Sequence, residues 1–178
     1  MKLIVGLWNP WSQYTKTRHN AGRIMLDQLM SEYQTKSWVL HKIRNSMIGE
    51  MMFEWEKIIT LKPLSYMNRS GAAIKSVSQY YKIPVSDILV LHDEIDWIFG
   101  RIWAKSWWSH AWHNGLRDTI THLGTNVFDR IRIGVDRPAD KAEIVDYVLW
   151  NFSQDQMERL HSEWYITLRG EIKKRKTT

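Results

Sequence analysis

Six polar residues stand where side chains could carry acid–base chemistry: Asn9, His19, Asn68, Asp93, His113 and Asn114. A histidine backed by a carboxylate makes a general base, because the carboxylate fixes the ring tautomer and stabilises the imidazolium as it forms. Asparagine adds neutral donors for a developing oxyanion and acceptors for hydroxyl groups. Each residue alone also has a structural explanation. Asn68 and Asn114 fit helix N-caps, Asp93 fits a strand-end turn, and His19 fits a satisfied loop histidine. His110 and His113 have no third ligand nearby in the sequence, which argues against zinc. No serine stands in a nucleophile elbow. These residue types and spacings reach as far as a histidine-based hydrolase or a binding cleft.

The elements that must position these residues alternate. Lys2–Leu7 reads as a buried strand, and the loop after it holds Asn9, Tyr14 and His19. Asn20–Gln34 has Ile24, Met25, Leu29 and Tyr33 at helical spacing. Val39–Arg44, Met47–Phe53 and Lys57–Leu61 are strand-length and closely spaced, which predicts antiparallel pairing. Asn68–Tyr81 is helical in pattern. Asp87–His92 is a near-continuous apolar run, as at the centre of a parallel sheet. Arg101–Lys105 reads as a short strand, Asn114–Leu123 as a helix, Phe128–Val135 as a strand and Lys141–Leu149 as a short helix. Ser153 and Gln156 form a capping-box match that predicts one long C-terminal helix. The expected fold is a single α/β domain over residues 1–178. Its twisted sheet is mixed, with a parallel centre and an antiparallel part, and helices flank it; the basic end at about 171–178 frays. In such folds ligands sit beyond the carboxyl ends of the strands, where Asn9, His92 and Asp93 fall.

Composition narrows the function classes. The chain has 178 residues, no cysteine and a net charge of +6. Disulfides and thiol catalysis are therefore excluded, and a cytoplasmic location is favoured. The absence of a long apolar run argues against a membrane span. The basic balance suits a polyanionic partner, RNA or DNA first, but also fits a plain solvated surface.

Ordered blocks along the chain carry a resemblance. Gly6-Leu-Trp-Asn-Pro-Trp11 with Tyr14 and Thr17-Arg-His-Asn-Ala-Gly22 closely resembles the opening of bacterial peptidyl-tRNA hydrolases. The likeness continues through Leu61-Lys-Pro63, Tyr66-Met-Asn-Arg-Ser-Gly71, Tyr81-Lys-Ile-Pro84 and Val90-Leu-His-Asp-Glu-Ile-Asp96. It runs on in His113-Asn-Gly-Leu-Arg117, Arg130-Ile-Arg-Ile-Gly134 with Arg137-Pro138, Asp146-Tyr-Val-Leu149 and Phe152-Ser153, and spans roughly residues 2–160. The resemblance implies hydrolysis of the ester between a peptide and the 3′ ribose of tRNA, without metal or other cofactor, by a monomer. It makes His19 the base that activates water, Asp93 the residue that orients it, and Asn9 a contact near the scissile carbonyl. Tyr14, Tyr66, Met67, Asn68, His113 and Asn114 become substrate-binding residues. Lys105 and Arg132 become contacts to the tRNA acceptor end, and the Lys141–Trp150 helix becomes a lid. Three other readings stand beside it: an RNA-binding module without hydrolysis, like the chloroplast splicing relatives of that family, a hydrolase of other small esters or amides, and a chain inactive as written because Trp replaces glycine in the active-site loops.

Tryptophan breaks the pattern. The chain has 11 Trp and 9 Gly, where about 7% glycine is ordinary. Trp8, Trp11, Trp55, Trp107, Trp108, Trp112 and Trp150 all stand where the resemblance calls for glycine, and Asp136 replaces another. Ser109 and Ala111 also stand at glycine sites but stay small, while Trp38, Trp97, Trp103 and Trp164 match no fixed glycine. Glycine belongs in such loops because it reaches positive φ and lets backbone approach a ligand, whereas Trp does neither easily. The excess and the deficit are complementary, so the expectation is that the source reads UGA as glycine where Trp is written. The competing expectation is genuine Trp that stacks on the CCA end of tRNA.

Overall fold

The structure, a computed structural model, describes residues 1–106 and 109–175. Trp107, Trp108 and residues 176–178 lie outside the described residues. Seven strands form one sheet in the order β2-β3-β4-β1-β5-β7-β6. They are β1 (Lys2–Gly6), β2 (Gln34–His41), β3 (Ser46–Phe53), β4 (Glu56–Pro63), β5 (Ile88–Glu94), β6 (Ile102–Ser106) and β7 (Asp129–Gly134). Strands β4, β1, β5 and β7 are mutually parallel, while β2, β3 and β6 run antiparallel to their neighbours.

Strand β5 is buried along its whole length, which explains why it reads as unbroken apolar sequence rather than as an alternation. Helices α1 (Ala21–Tyr33), α5 (Gln154–His161) and α6 (Glu163–Lys174) cover one face of the sheet. Helices α2 (Ser70–Tyr80) and α3 (Asn114–Leu123) cover the other. Helix α4 (Ile144–Leu149) follows a single 3-10 turn at Lys141–Glu143. Among the described residues no helix is long and apolar enough to cross a membrane.

The C-terminal segment differs from expectation. Ser153 and Gln156 do form the capping box, but the helix they open stops at His161. Ser162, with φ −112° and ψ −93°, breaks it, and α6 begins again at Glu163. The helix then holds through Lys174, with Ile172 buried and Lys173 and Lys174 exposed. One long amphipathic pattern is therefore divided, because tertiary packing decides where a helix turns.

The approach of α1 to the sheet sets the position of the first loop. A Cβ on Gly22 would collide with the Leu91 carbonyl of β5, and one on Gly6 would meet the Gly22 carbonyl at 2.9 Å. Leu7 N–H donates to the same Leu91 carbonyl at 3.1 Å. The backbone just after β1 and the first turn of α1 are thereby pressed against β5, which brings His19 to Asp93. Gly22→Ala is expected to lower stability by about 1–3 kcal/mol and to weaken activity, as chemical denaturation and an assay on the same samples would show. An unchanged midpoint would mean that α1 can shift without cost.

Candidate active site

The ends of β1 and β5 and the start of α3 meet at a cleft of about 440 Å³. Asn9, His19, Tyr66, Met67, Asn68, Asp93, His113 and Asn114 all line it. Three other expected site residues stand elsewhere. Tyr14 contributes its carbonyl to the loop rather than a side chain to the cleft. Lys105 lies half-buried on β6 opposite Arg130 of β7. Arg132 is 8% exposed, and its Nε and Nη2 both donate to Glu94 Oε2, at 2.8 and 2.7 Å. A phosphate reaching Arg132 would have to compete with that carboxylate.

Asp93 is the hub. His19 Nδ1 lies 2.9 Å from its Oδ1 and 3.1 Å from its Oδ2, and His113 Nε2 lies 2.9 Å from Oδ1. Asp93 is 3% exposed. Burial pushes its carboxyl upward, but His19 and then His113 outweigh burial and hold it far below the usual carboxylate range. It stays ionised inside the strand rather than marking a turn at its end. With Nδ1 on Asp93, His19 keeps Nε2 for the cleft.

Asn9 is set by a residue the sequence reading passed over. Asn20, fully buried, accepts from Asn9 N–H at 2.8 Å, and its Nδ2 donates to the Asn9 and Tyr14 carbonyls at 3.1 and 2.7 Å. The Asn9 Oδ1 accepts from Met67 N–H at 2.9 Å. That bond fixes the amide orientation and leaves the Nδ2 protons for the cleft. Asn20 lies within the block Thr17–Gly22, but a side chain that serves backbone six and eleven residues away gives no local signal.

Neither Asn68 nor Asn114 serves as the helix N-cap its residue type suggested. Asn68 lies inside a 3-10 turn, Met67–Arg69, before α2. His113 caps α3, accepting from Leu116 N–H at 3.2 Å. Asn68 and Asn114 are both exposed, with their side chains left for the cleft. Helix α4 forms one wall with Ile144, Val145, Val148 and Leu149. Arg18 ties the His19 turn to the end of α4 by donating to the Trp150 and Asn151 carbonyls at 3.2 and 2.9 Å.

His19, Asp93 and His113 place three ligand atoms within 4.8 Å of one another, a spacing that sequence distance concealed. Protons suit the set better than a metal. His113 Nδ1 is an acceptor, so the ring proton sits on Nε2, the atom a metal would need, and moving that proton would break the α3 cap.

The tryptophans divide by dihedral. Glu54 and Trp55 join β3 to β4 as a two-residue hairpin loop with φ of 47° and 67°. Positive φ at both positions is what a type I′ turn requires, and its second position favours glycine. Ala111 and Trp112 repeat this with φ of 43° and 65°, in a turn closed by His113 N–H to the His110 carbonyl at 2.8 Å. Asp136 has φ 63°. Trp55 and Trp112 are 97% and 86% exposed, so burial gives nothing back for the strain. Trp8, Trp11 and Trp150 do not have positive φ. Trp164, in contrast, is buried edge-on to Phe99 as an ordinary core aromatic.

A single α/β domain whose sheet carries an Asp-backed histidine and a fixed amide donor in one cleft has the groups a hydrolase needs. A profile of the family described as Peptidyl-tRNA hydrolase matches residues 3–169. The peptidyl-tRNA hydrolase of Dichelobacter nodosus is 44% identical over 161 residues, covering 90% of this chain and 85% of that protein. That of Mycoplasma capricolum is 41% identical over 160 residues, with the same coverage of each. A crystal structure of peptidyl-tRNA hydrolase from Acinetobacter baumannii superposes with a TM-score of 0.84 at 32% identity, covering 98% of this chain and 92% of that one. The chain belongs to the peptidyl-tRNA hydrolase family.

One buried group outside the cleft gives the fold a pH dependence. His92 donates from Nδ1 to the Asp93 carbonyl at 2.6 Å, and its Nε2 is buried without a partner among the described residues. Burial, then His113 with Arg130 behind it, holds its pKa well below the ordinary 6.5, against the pull of Asp93. The unfolded chain therefore takes up a proton near pH 6.5 that the folded chain refuses, and stability falls as pH drops below that value. The slope per group is at most about 1.4 kcal/mol per pH unit. His92→Asn, which keeps the donor, is expected to flatten the decline between about pH 6.5 and 5. Thermal melts across that range decide it, and an equal slope in both proteins would clear His92 of the role.

Proposed function

We propose that this protein hydrolyses the ester between a peptide and the 3′ ribose of tRNA. The observation that carries the reading is a single cleft holding the His19–Asp93 pair and the Asn9 Nδ2 donor, two hydrogen-bonded units built from different elements. His19 Nε2 takes a proton from water, and the resulting hydroxide attacks the ester carbonyl. The Asn9 amide stabilises the oxyanion. The intermediate collapses with release of the ribose 3′ oxygen, which takes the proton back from His19. Asp93 holds the ring in the Nδ1–H tautomer and stabilises the imidazolium.

Asn68, Asn114, Tyr66 and Met67 contact the peptide. The first two use backbone-directed amides, so that peptide sequence matters little, and α4 closes the apolar side. The acceptor end lies along the β6 edge near Lys105, while Arg132 is balanced by Glu94 and contributes less than the sequence suggested. The protein works as a monomer in the compartment where translation runs. His19→Ala is expected to reduce release of peptide from peptidyl-tRNA by about 10²–10⁴-fold with the fold intact. Near-parental release by the variant would sink the mechanism.

The family's glycine sites bear on the same chemistry. Trp55 and Trp112 occupy positive-φ positions that glycine fills without strain, and Trp112 borders the cleft. We infer that the functional molecule carries glycine there and at the other five family glycine positions, by reading UGA as glycine. Peptide masses from the native protein would decide this directly; tryptophan masses at these sites, or UGG codons, would end it. In the chain as written, Trp55→Gly is expected to raise stability by about 1–2 kcal/mol, read as a higher midpoint in denaturant, and the seven-fold Gly version is expected to be the more active hydrolase.

A further inference from the structure

The cap of α3 and the catalytic carboxylate share one ring. His113 Nδ1 accepts from Leu116 N–H at 3.2 Å, and a nitrogen that accepts carries no proton. The neutral ring must then hold its proton on Nε2, which lies 2.9 Å from Asp93 Oδ1. That oxygen also takes His19 Nδ1 at 2.9 Å. The two rings lie side by side with centroids 4.8 Å apart, both donating to one carboxylate oxygen.

We propose that His113 is a positioning residue for the base: a donor of fixed tautomer that takes up part of the Asp93 charge, and so sets how strongly Asp93 retains a proton on His19. The proposal rests on His19 as the base and gives His113 a task distinct from touching substrate. The start of helix α3 thereby governs the pH at which the cleft becomes competent. The coupling is electrostatic and short, because the shared carboxylate is buried and little water screens it.

Few other charges compete. His92 of β5 packs edge-on to His113 at 5.1 Å between centroids, and Arg130 of β7 stands behind it. Arg132 of β7 is paired with Glu94 of β5. Arg69, before α2, borders the cleft, while α4 faces it with aliphatic residues.

Asparagine and glutamine separate the two hydrogen bonds of His113. His113→Asn keeps a cap acceptor for Leu116 but is too short to reach Asp93. His113→Gln brings an amide donor to the Nε2 position while giving up the cap. Without the donor, Asp93 keeps more of its charge for the His19 imidazolium, so deprotonation of the base moves to higher pH. In His113→Asn the acid limb of kcat/KM is expected to move up by about one pH unit, which is about tenfold lower activity well below the limb. In His113→Gln the limb should return toward that of the parent. The ring resonances of His19 in the substrate-free protein, followed by NMR, should move with the limb.

A raised KM at every pH in His113→Asn, with limb and resonances unmoved, would overturn the proposal and leave His113 a substrate contact. Equal limb shifts in both variants would overturn it as well, because the cap rather than the donor would then be responsible. A parental limb that fails to follow the His19 resonances would instead overturn the base assignment, so the two failures can be told apart.

Discussion

The buried carboxylate of Asp93 is the constraint around which the rest of the site is arranged. An ionised group removed from water is costly unless hydrogen bonds replace its hydration, and here two imidazole N–H groups do so. Each arrives on a different element, His19 from the turn before α1 and His113 from the cap of α3. Satisfying Asp93 therefore fixes how those elements sit on the sheet. The close approach of Gly22 to Leu91 lets α1 come near enough, and the Leu116 N–H holds the second ring in the tautomer that can donate.

Around that centre the polar groups are connected rather than merely adjacent. Asn20 clamps the backbone of Asn9 and Tyr14, Met67 N–H orients the Asn9 amide, and Arg18 ties the His19 turn to the end of α4. A hydrolytic site needs donors already aimed at the place where charge will develop, and this network holds Asn9 and His19 in place before substrate arrives. His92 Nε2, buried beside it without a partner among the described residues, belongs to a ring that burial holds neutral.

Most strands of the sheet were legible because their periodicity is a local property, but β2 runs Gln34–His41 where Val39–Arg44 was expected. The expected α3 matches the observed Asn114–Leu123, β5 begins one residue later and ends two residues later than the expected Asp87–His92, and the Ser153–Gln156 capping box forms as predicted. The break at Ser162 was not legible, since no proline or glycine marks it. The N-cap of α3 fell on His113 rather than Asn114, because asparagine propensity is a weak preference that a bond to Leu116 overrides. Arg132 was expected at the tRNA acceptor end, and its pairing with Glu94 depends on the register of β5 against β7.

The amino-acid sequence by itself determined the family, the order of strands and helices, the residue types available for acid–base chemistry, and the conflict between tryptophan and the turns that hold it. These follow from composition, spacing and ordered motifs, which need no coordinates. Only the tertiary structure decided that His19 and His113 share one oxygen of Asp93, that Asn20 governs Asn9, and that Trp55 and Trp112 stand at positive φ. Hydrogen-bond partners separated by 20 to 74 residues meet only when the sheet is assembled, and a tautomer is set by the partner on the other side of the ring.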